Sequence, residues 1–243
     1  MYSLFLKEIR SFLSSFLGYI IIVVFLVVMG IFLWVLPTDF NILNFGYANV
    51  DGLFIIAPFI FLFLVPAITM RSFADENKTG TIELLYTRPI SDLQIILSKD
   101  LASFVLVILS LLPTLVYYFS IWQLGFPQGN IDSGGFIGSF IGLLFLGASF
   151  VSIGIFASSL SENQVVAFIV AILISAFLYL GFEFIYSLDL FGGIDLFIRS
   201  LGMSAHYSSI SRGVIDSRDL VYFLSVISLF LFLTNFVIAR RKW

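Results

Sequence analysis

The sequence predicts an all-α polytopic membrane protein with six transmembrane helices, an N-terminal amphipathic interfacial helix and both termini in the cytoplasm. Three observations carry this expectation. Of the 243 residues, 60% are hydrophobic and only 11% are charged, less than half of the roughly 25% that a water-facing surface uses. Six stretches free of Asp, Glu, Lys and Arg are each long enough for a helix rising about 1.5 Å per residue to cross a hydrocarbon core about 30 Å thick. Lys and Arg also gather in alternate loops, and positive residues near span ends stay cytoplasmic.

The charge-free windows lie between Arg10 and Asp39, Asp51 and Arg71, Asp100 and Asp132, Asp132 and Glu162, Glu162 and Glu183, and Asp219 and Arg240. They place helices near 16–36, 53–70, 101–122, 136–158, 164–186 and 219–239. The apolar run behind Lys7 and Arg10 continues to Leu36 without a small-residue cleavage site, so it reads as a retained helix and not as a secretion signal.

Orientation follows from the cations. Lys7 and Arg10 precede the first span, Arg71, Lys78, Arg88 and Lys99 lie between the second and third, and Arg240, Arg241 and Lys242 follow the sixth. The alternate loops 37–52 and 123–135 contain no Lys or Arg. Only the last outer loop, 187–218, dissents, with Arg199, Arg212 and Arg218.

Several function classes are disfavoured. A net charge of −3 and a pI near 5.0 supply no field for a phosphate backbone, so no nucleic acid is expected as partner. The absence of Cys removes thiolate chemistry, and the single histidine, His206, has no neighbours to complete a metal site; a structural or surface role is expected. The spans hold almost no ionisable residue of the kind ion-driven transporters use. Glu183, at the outer end of the fifth span beside Tyr179 and Tyr186, reads either as an interfacial carboxylate or as a substrate contact. There is no phosphate-binding loop motif, so nucleotide chemistry falls to another subunit. No catalytic cluster is visible, and neither cofactor nor metal is expected in this chain.

Gly134, Gly138 and Gly142 recur at four-residue spacing, a small-residue face that lets helices approach closely in lipid. It suits packing within the subunit, a dimer seam or a substrate path. Pro58, Pro66 and Pro113 are expected to kink their spans.

Two amphipathic stretches flank these spans. Phe5, Ile9, Phe12 and Phe16 recur at helical spacing among polar residues, so 1–15 forms an interfacial helix. In 71–100, a polar continuation of the second helix should end at a left-handed Gly80. The run Thr81-Ile-Glu-Leu-Leu-Tyr86 makes a short amphipathic turn, Thr87-Arg-Pro89 stops it, and Ser91 with Gln94 forms a capping box that starts the next helix.

The stretch Lys78-Thr-Gly-Thr-Ile-Glu-Leu-Leu-Tyr-Thr-Arg-Pro89, preceded by Asp75 and Glu76 and followed by Lys99, resembles the ABC-2 type permease family. That family's pattern has acidic residues, then x-G-T-x-E-x-L, then x-x-P and a basic residue before the third span. Phe45-Gly-Tyr-Ala48, Pro66-Ala-Ile-Thr-Met-Arg-Ser-Phe73, Gly147-Ala-Ser-Phe-Val-Ser-Ile-Gly154, Ser161-Glu-Asn-Gln164 and Arg212-Gly-Val-Ile-Asp-Ser-Arg-Asp219 extend the resemblance over the whole chain as a single domain. They are similar to the gliding-motility-associated permease branch.

The resemblance implies a coupling helix docking into a separate ABC ATPase subunit, which binds ATP and Mg. The implied main contact comprises Thr79, Gly80, Thr81, Glu83, Leu84, Leu85, Thr87, Arg88 and Pro89, with Ser161, Glu162 and Asn163 as a minor contact. Gly80 and Pro89 fix bends, Leu84 and Leu85 offer apolar anchors, and Glu83 and Arg88 carry charges for the partner. It further implies a second permease copy or a paralogue, an auxiliary gliding-motility membrane subunit, a bacterial inner membrane, and short non-crossing helices in 187–218. The alternative is a non-transporting membrane scaffold for an envelope motility or secretion machine.

Overall fold

The structure is a computed structural model and describes residues 1–44, 48–83, 90–189, 192–213 and 216–240. These residues form helices and turns with no strand. Six helical stretches are long and apolar enough to cross a membrane: Phe16–Val35, Asp51–Thr79, Asp92–Leu124, Ser133–Leu160, Gln164–Ser187 and Ser217–Arg240.

Helix α1 (Tyr2–Leu13) precedes the first of these and buries Leu4. Helix α2 (Phe16–Gly30) begins where the Ser15 hydroxyl accepts the Gly18 amide at 3.0 Å, which meets one of the orphan donors of a helix start. A π-turn at Ile31–Val35 closes it. Helix α3 (Asp51–Thr69) stays helical through Pro58 and Pro66, and α4 (Arg71–Thr79) continues it beyond Met70. As its sequence suggests, α4 ends at Gly80 in the left-handed region, φ +71°, a conformation that costs a side-chain-bearing residue energy.

The Ser91 and Gln94 capping box is present, and α5 (Asp92–Leu111) starts from it. The structure departs from the expected boundary here: the capped segment and the third span are one continuous rod, because nothing between Asp92 and Leu111 interrupts the backbone ladder. Pro113, which has no amide hydrogen to donate, turns that rod through a 3₁₀ turn at Leu112–Thr114 into α6 (Leu115–Leu124). Helix α7 (Ser133–Leu160) is capped by Asp132 and runs two to three residues past each expected end. Helix α8 (Gln164–Ala176), capped by Asn163, passes through a π-turn at Phe177–Gly181 into α9 (Phe182–Ser187). Two short helices, α10 (Asp195–Ser200) and α11 (Met203–Ile210), lie between α9 and α12 (Ser217–Arg240).

Helix α7 is the axis of the bundle and packs against α3, α4, α5, α8, α11 and α12. Its small residues set how near those neighbours come. A Cβ on Gly154 would overlap the Thr69 hydroxyl of α3, and one on Gly147 would lie 3.2 Å from Phe61 and Val107. Leu143, Leu146, Phe150 and Val151 of α7 are fully buried, as are Phe61 and Val65 of α3. By contrast α2, α8 and α12 turn many large apolar residues outward, among them Val24, Leu173 and Phe232, as expected of helices whose outer faces meet lipid.

Candidate functional site

Helix α4 is where the candidate contact residues are assembled, and its surroundings explain how. The sequence gives it three buried residues in a row, Ser72, Phe73 and Ala74. Following directly on α3, it has no side-chain cap of its own. The cap comes from α7: Ser158 Oγ accepts the amides of Phe73 at 2.9 Å and Ala74 at 3.1 Å, and donates to the Met70 carbonyl at 3.0 Å. A hydroxyl with one donor and two lone pairs is fully used by these contacts.

Further along, Gln164 at the start of α8 grips α4 from the side. Its Nε2 donates to Asp75 Oδ1, and its Oε1 accepts from Arg71 Nε at 3.3 Å. Asn77 Nδ2 donates to the Ser161 carbonyl at 3.4 Å. These bonds bring residues 79–83 and 161–163, from the two stretches singled out in the sequence, to one end of the bundle. Thr79, Gly80, Thr81 and Glu83 are exposed there, as are Glu162 and Asn163, while Ser161 is half-buried. Thr79 Oγ1 donates to the Asp75 carbonyl at 2.8 Å and contacts Thr81 Oγ1 at 2.9 Å; the Glu83 amide donates to the Gly80 carbonyl at 3.3 Å. A cavity of about 730 Å³ opens between Lys78 and the 160–165 turn. Leu84, Leu85, Thr87, Arg88 and Pro89 lie outside the described residues.

The opposite side of α4 carries a charge cluster that the sequence reading missed. Lys99 of α5 has a side chain only 1% exposed, yet its Nζ lies 3.0 Å from Glu8 Oε1 of α1 and 2.9 Å from Glu76 Oε2 of α4, and donates to the Ser72 carbonyl at 2.6 Å. Nζ donates to Glu8 Oε1 and to the Ser72 carbonyl, and Glu76 Oε2 faces it at ion-pair distance. The Phe73 ring sits 5.0 Å below it. Lys7 completes the cluster, 3.0 Å from Glu76 and 3.5 Å from Glu8. Burial lowers the Lys7 pKa, but the Glu76 hydrogen bond and the charges of both glutamates outweigh that and leave it above its ordinary value. Two cations and two carboxylates balance, which is the condition for holding a buried Lys charged. The one sign of it in the sequence is a Lys in a helix that runs on into apolar residues, but no spacing rule connects positions 8, 76 and 99.

The remaining candidates fall elsewhere. Gly138 and Gly142 are closed in by the chain itself: a Cβ on either would come within 2.7 Å of Gly213 Cα or 2.9 Å of Ile210 Cγ2. Gly134 meets only its own Asp132 within that range. Glu183 is paired, with Arg199 Nε at 3.2 Å and Ser204 Oγ at 3.4 Å. His206 ties three elements together: Nδ1 lies 2.7 Å from Asp219 Oδ1 of α12, Nε2 lies 2.8 Å from the Ser200 carbonyl of α10, and its ring stacks on Tyr222 at 3.9 Å. Among the described residues no cluster of His, Cys, Asp and Glu has the makings of a metal site.

The sequence model of the ABC-2 family transporter proteins matches residues 43–239, well over half of the 243. The chain belongs to the ABC-2 transporter family. No curated protein matches it significantly. As an ABC-2 family member with six apolar helices it is a multi-pass membrane protein, a transporter permease subunit of a family that generally works with an ABC ATPase subunit and is generally not itself catalytic. For the ABC-2 chain, then, the α4 end of the bundle is the site to be explained.

Proposed function

We propose that this chain couples ATP hydrolysis by a separate ATPase subunit to movement of a substrate across a bacterial inner membrane, and that the α4 end is where that subunit docks. The observation that carries this reading is the clamp on α4. Ser158, Ser161 and Gln164 hold one flank and Glu8 and Lys99 the other, so a push on the exposed Gly80 turn is delivered to α1, α5, α7 and α8 together.

In this reading α1 lies along the cytoplasmic surface of the membrane and both termini are cytoplasmic, which places the loops without Lys and Arg outside. Thr79, Gly80, Thr81 and Glu83, with Leu84, Leu85, Thr87, Arg88 and Pro89, form the main contact, and Ser161, Glu162 and Asn163 the minor one. ATP and Mg stay on the partner. A second copy or a paralogue completes the path, and the system serves gliding motility, with an auxiliary membrane subunit. For hydrolysis to drive the permease, the ATPase has to bind its inward and outward states with different affinity.

Site-specific crosslinking tests the docking surface. Cysteines placed singly at Thr81 and Glu162 of this naturally cysteine-free chain should both crosslink to a co-expressed ATPase encoded beside it, whereas a cysteine at Phe126, exposed at the opposite end, should not. Crosslinking from Phe126 alone would overturn the placement.

A further inference from the structure

We propose that the cleft between Arg199 and Arg212 binds the phosphate of an anionic amphiphile whose apolar tail lies along the aromatic cavity beside it. The starting point is a charge without a topological reason. Of the loops at the end of the bundle away from α4, only the one between α9 and α12 contains Lys or Arg, where such residues are otherwise depleted. Its two arginines, Arg199 and Arg212, face one cleft of about 410 Å³, together with Leu196, Ser200, Ser208 and Ser209. No carboxylate lines it among the described residues.

Both guanidiniums have capacity to spare. Arg199 uses Nε for Glu183 and rests over the Tyr186 ring at 5.1 Å, which leaves its terminal amino groups for a further acceptor. Arg212 is exposed and makes no ion pair among the described residues. Asp51 and Asp132 line a further cavity that Arg212 also borders, and Asp51 reaches the aromatic cavity beside the cleft. Planar guanidinium forks match phosphate oxygens two at a time.

A second cavity of about 390 Å³ shares Arg199 and Ser208 with this cleft; Phe54, Ile55, Phe59 and Tyr179 form its apolar wall, and Asp51 and the Arg199-paired Glu183 also line it. Ile55 and Phe59 are about half exposed, so the cavity opens through the lipid-facing side of α3. Beside Arg199, Leu196 and Phe197 of α10 are 68% and 64% exposed, apolar surface that in a membrane protein belongs at the bilayer interface. Guanidinium groups beside a cavity with an aromatic wall fit a molecule that joins a phosphate to an apolar tail better than they fit a free ion.

Native mass spectrometry of the full chain, purified in mild detergent, tests this without any ATPase, so its outcome is independent of the coupling proposal. The probes are phosphatidylglycerol, diacylglycerol with the same tails, and inorganic phosphate as competitor. The wild type should retain phosphatidylglycerol at least about tenfold more tightly than diacylglycerol, the effect of one charge-assisted contact. Arg212→Gln, which leaves the Glu183 pair intact, should remove most of that preference, and Arg199→Gln with Arg212→Gln all of it. Arg218→Gln, the same charge change outside the cleft, should leave it unaltered. Equal retention of the two lipids, or the same loss from Arg218→Gln, would overturn the site. Displacement of the lipid by millimolar inorganic phosphate would overturn the amphiphile and assign the cleft to a free anion.

Discussion

Replacing Lys99 with Met keeps the length and most of the volume of the side chain and removes its charge. The three oxygens that surround Nζ at 2.6–3.0 Å would then face a thioether, with Glu8 19% and Glu76 12% exposed. Breaking a buried ion pair from one side costs about 3–5 kcal/mol, because the partner charges stay behind unpaired. Here the lower end applies: Lys7 still pairs with both glutamates, and each retains some access to water. About 3 kcal/mol in a chain of this size corresponds to a fall in unfolding midpoint of roughly 6–12 °C. Thermal unfolding in mild detergent measures it. Adding Glu8→Gln and Glu76→Gln to Lys99→Met should recover most of the loss, since the stranded charges disappear with the cation. A midpoint for Lys99→Met within about 2 °C of wild type, or a triple variant no better than the single, would refute the claim that Lys99 holds α1, α4 and α5 together.

Other expectations follow from the same contacts. Gly80→Ala should cost about 1–2 kcal/mol from the left-handed backbone alone, since nothing lies within 4 Å of the added methyl; a melt of the purified chain showing no loss would contradict the φ of +71°. Gly154→Ala should cost more, because its methyl meets the Thr69 hydroxyl inside the α3 and α7 contact; a smaller loss than for Gly80→Ala would speak against that close approach. Ser158→Ala should destabilise the chain by about 1–2 kcal/mol by uncapping α4, and amide exchange at Phe73 and Ala74 should rise well above that of the α7 core. The raised Lys7 pKa carries a sign: the stabilisation linked to it is complete below the ordinary lysine value and is lost only as pH rises through the raised one. Stability lost between pH 7 and 9 in the wild type but not in Lys7→Met would contradict it.

The spans were legible in the sequence because the rule behind them is local: a charge-free run of sufficient length needs no knowledge of its neighbours. Gly80 and the Ser91 capping box were legible for the same reason, each being settled within four residues. What escaped the sequence is long-range. Lys99, Glu8 and Glu76 meet across 91 and 23 positions, and Ser158 caps α4 from 85 residues away. Glu183 and His206 showed no partners in the sequence because those partners stand on other helices. The third span starts at Asp92 and not near 101, because Lys99 and Asp100, the charges that bounded its apolar window, are buried within the bundle. Of the candidate ATPase contacts, the structure places Thr79, Gly80, Thr81, Glu83, Ser161, Glu162 and Asn163 together, and the sequence held no spacing that joined the two groups.

The most direct test of the account is to purify the chain from its native membrane in mild detergent, identify the proteins that accompany it, and measure ATP hydrolysis with wild type and Glu83→Ala. The account predicts an accompanying phosphate-loop ATPase whose binding or stimulation is lost in the Glu83→Ala variant, while that variant unfolds at the wild-type temperature, since the Glu83 side chain is exposed. An intact preparation with no ATPase, or one whose hydrolysis is the same with and without the permease, would contradict the coupling role and leave a membrane scaffold as the better description.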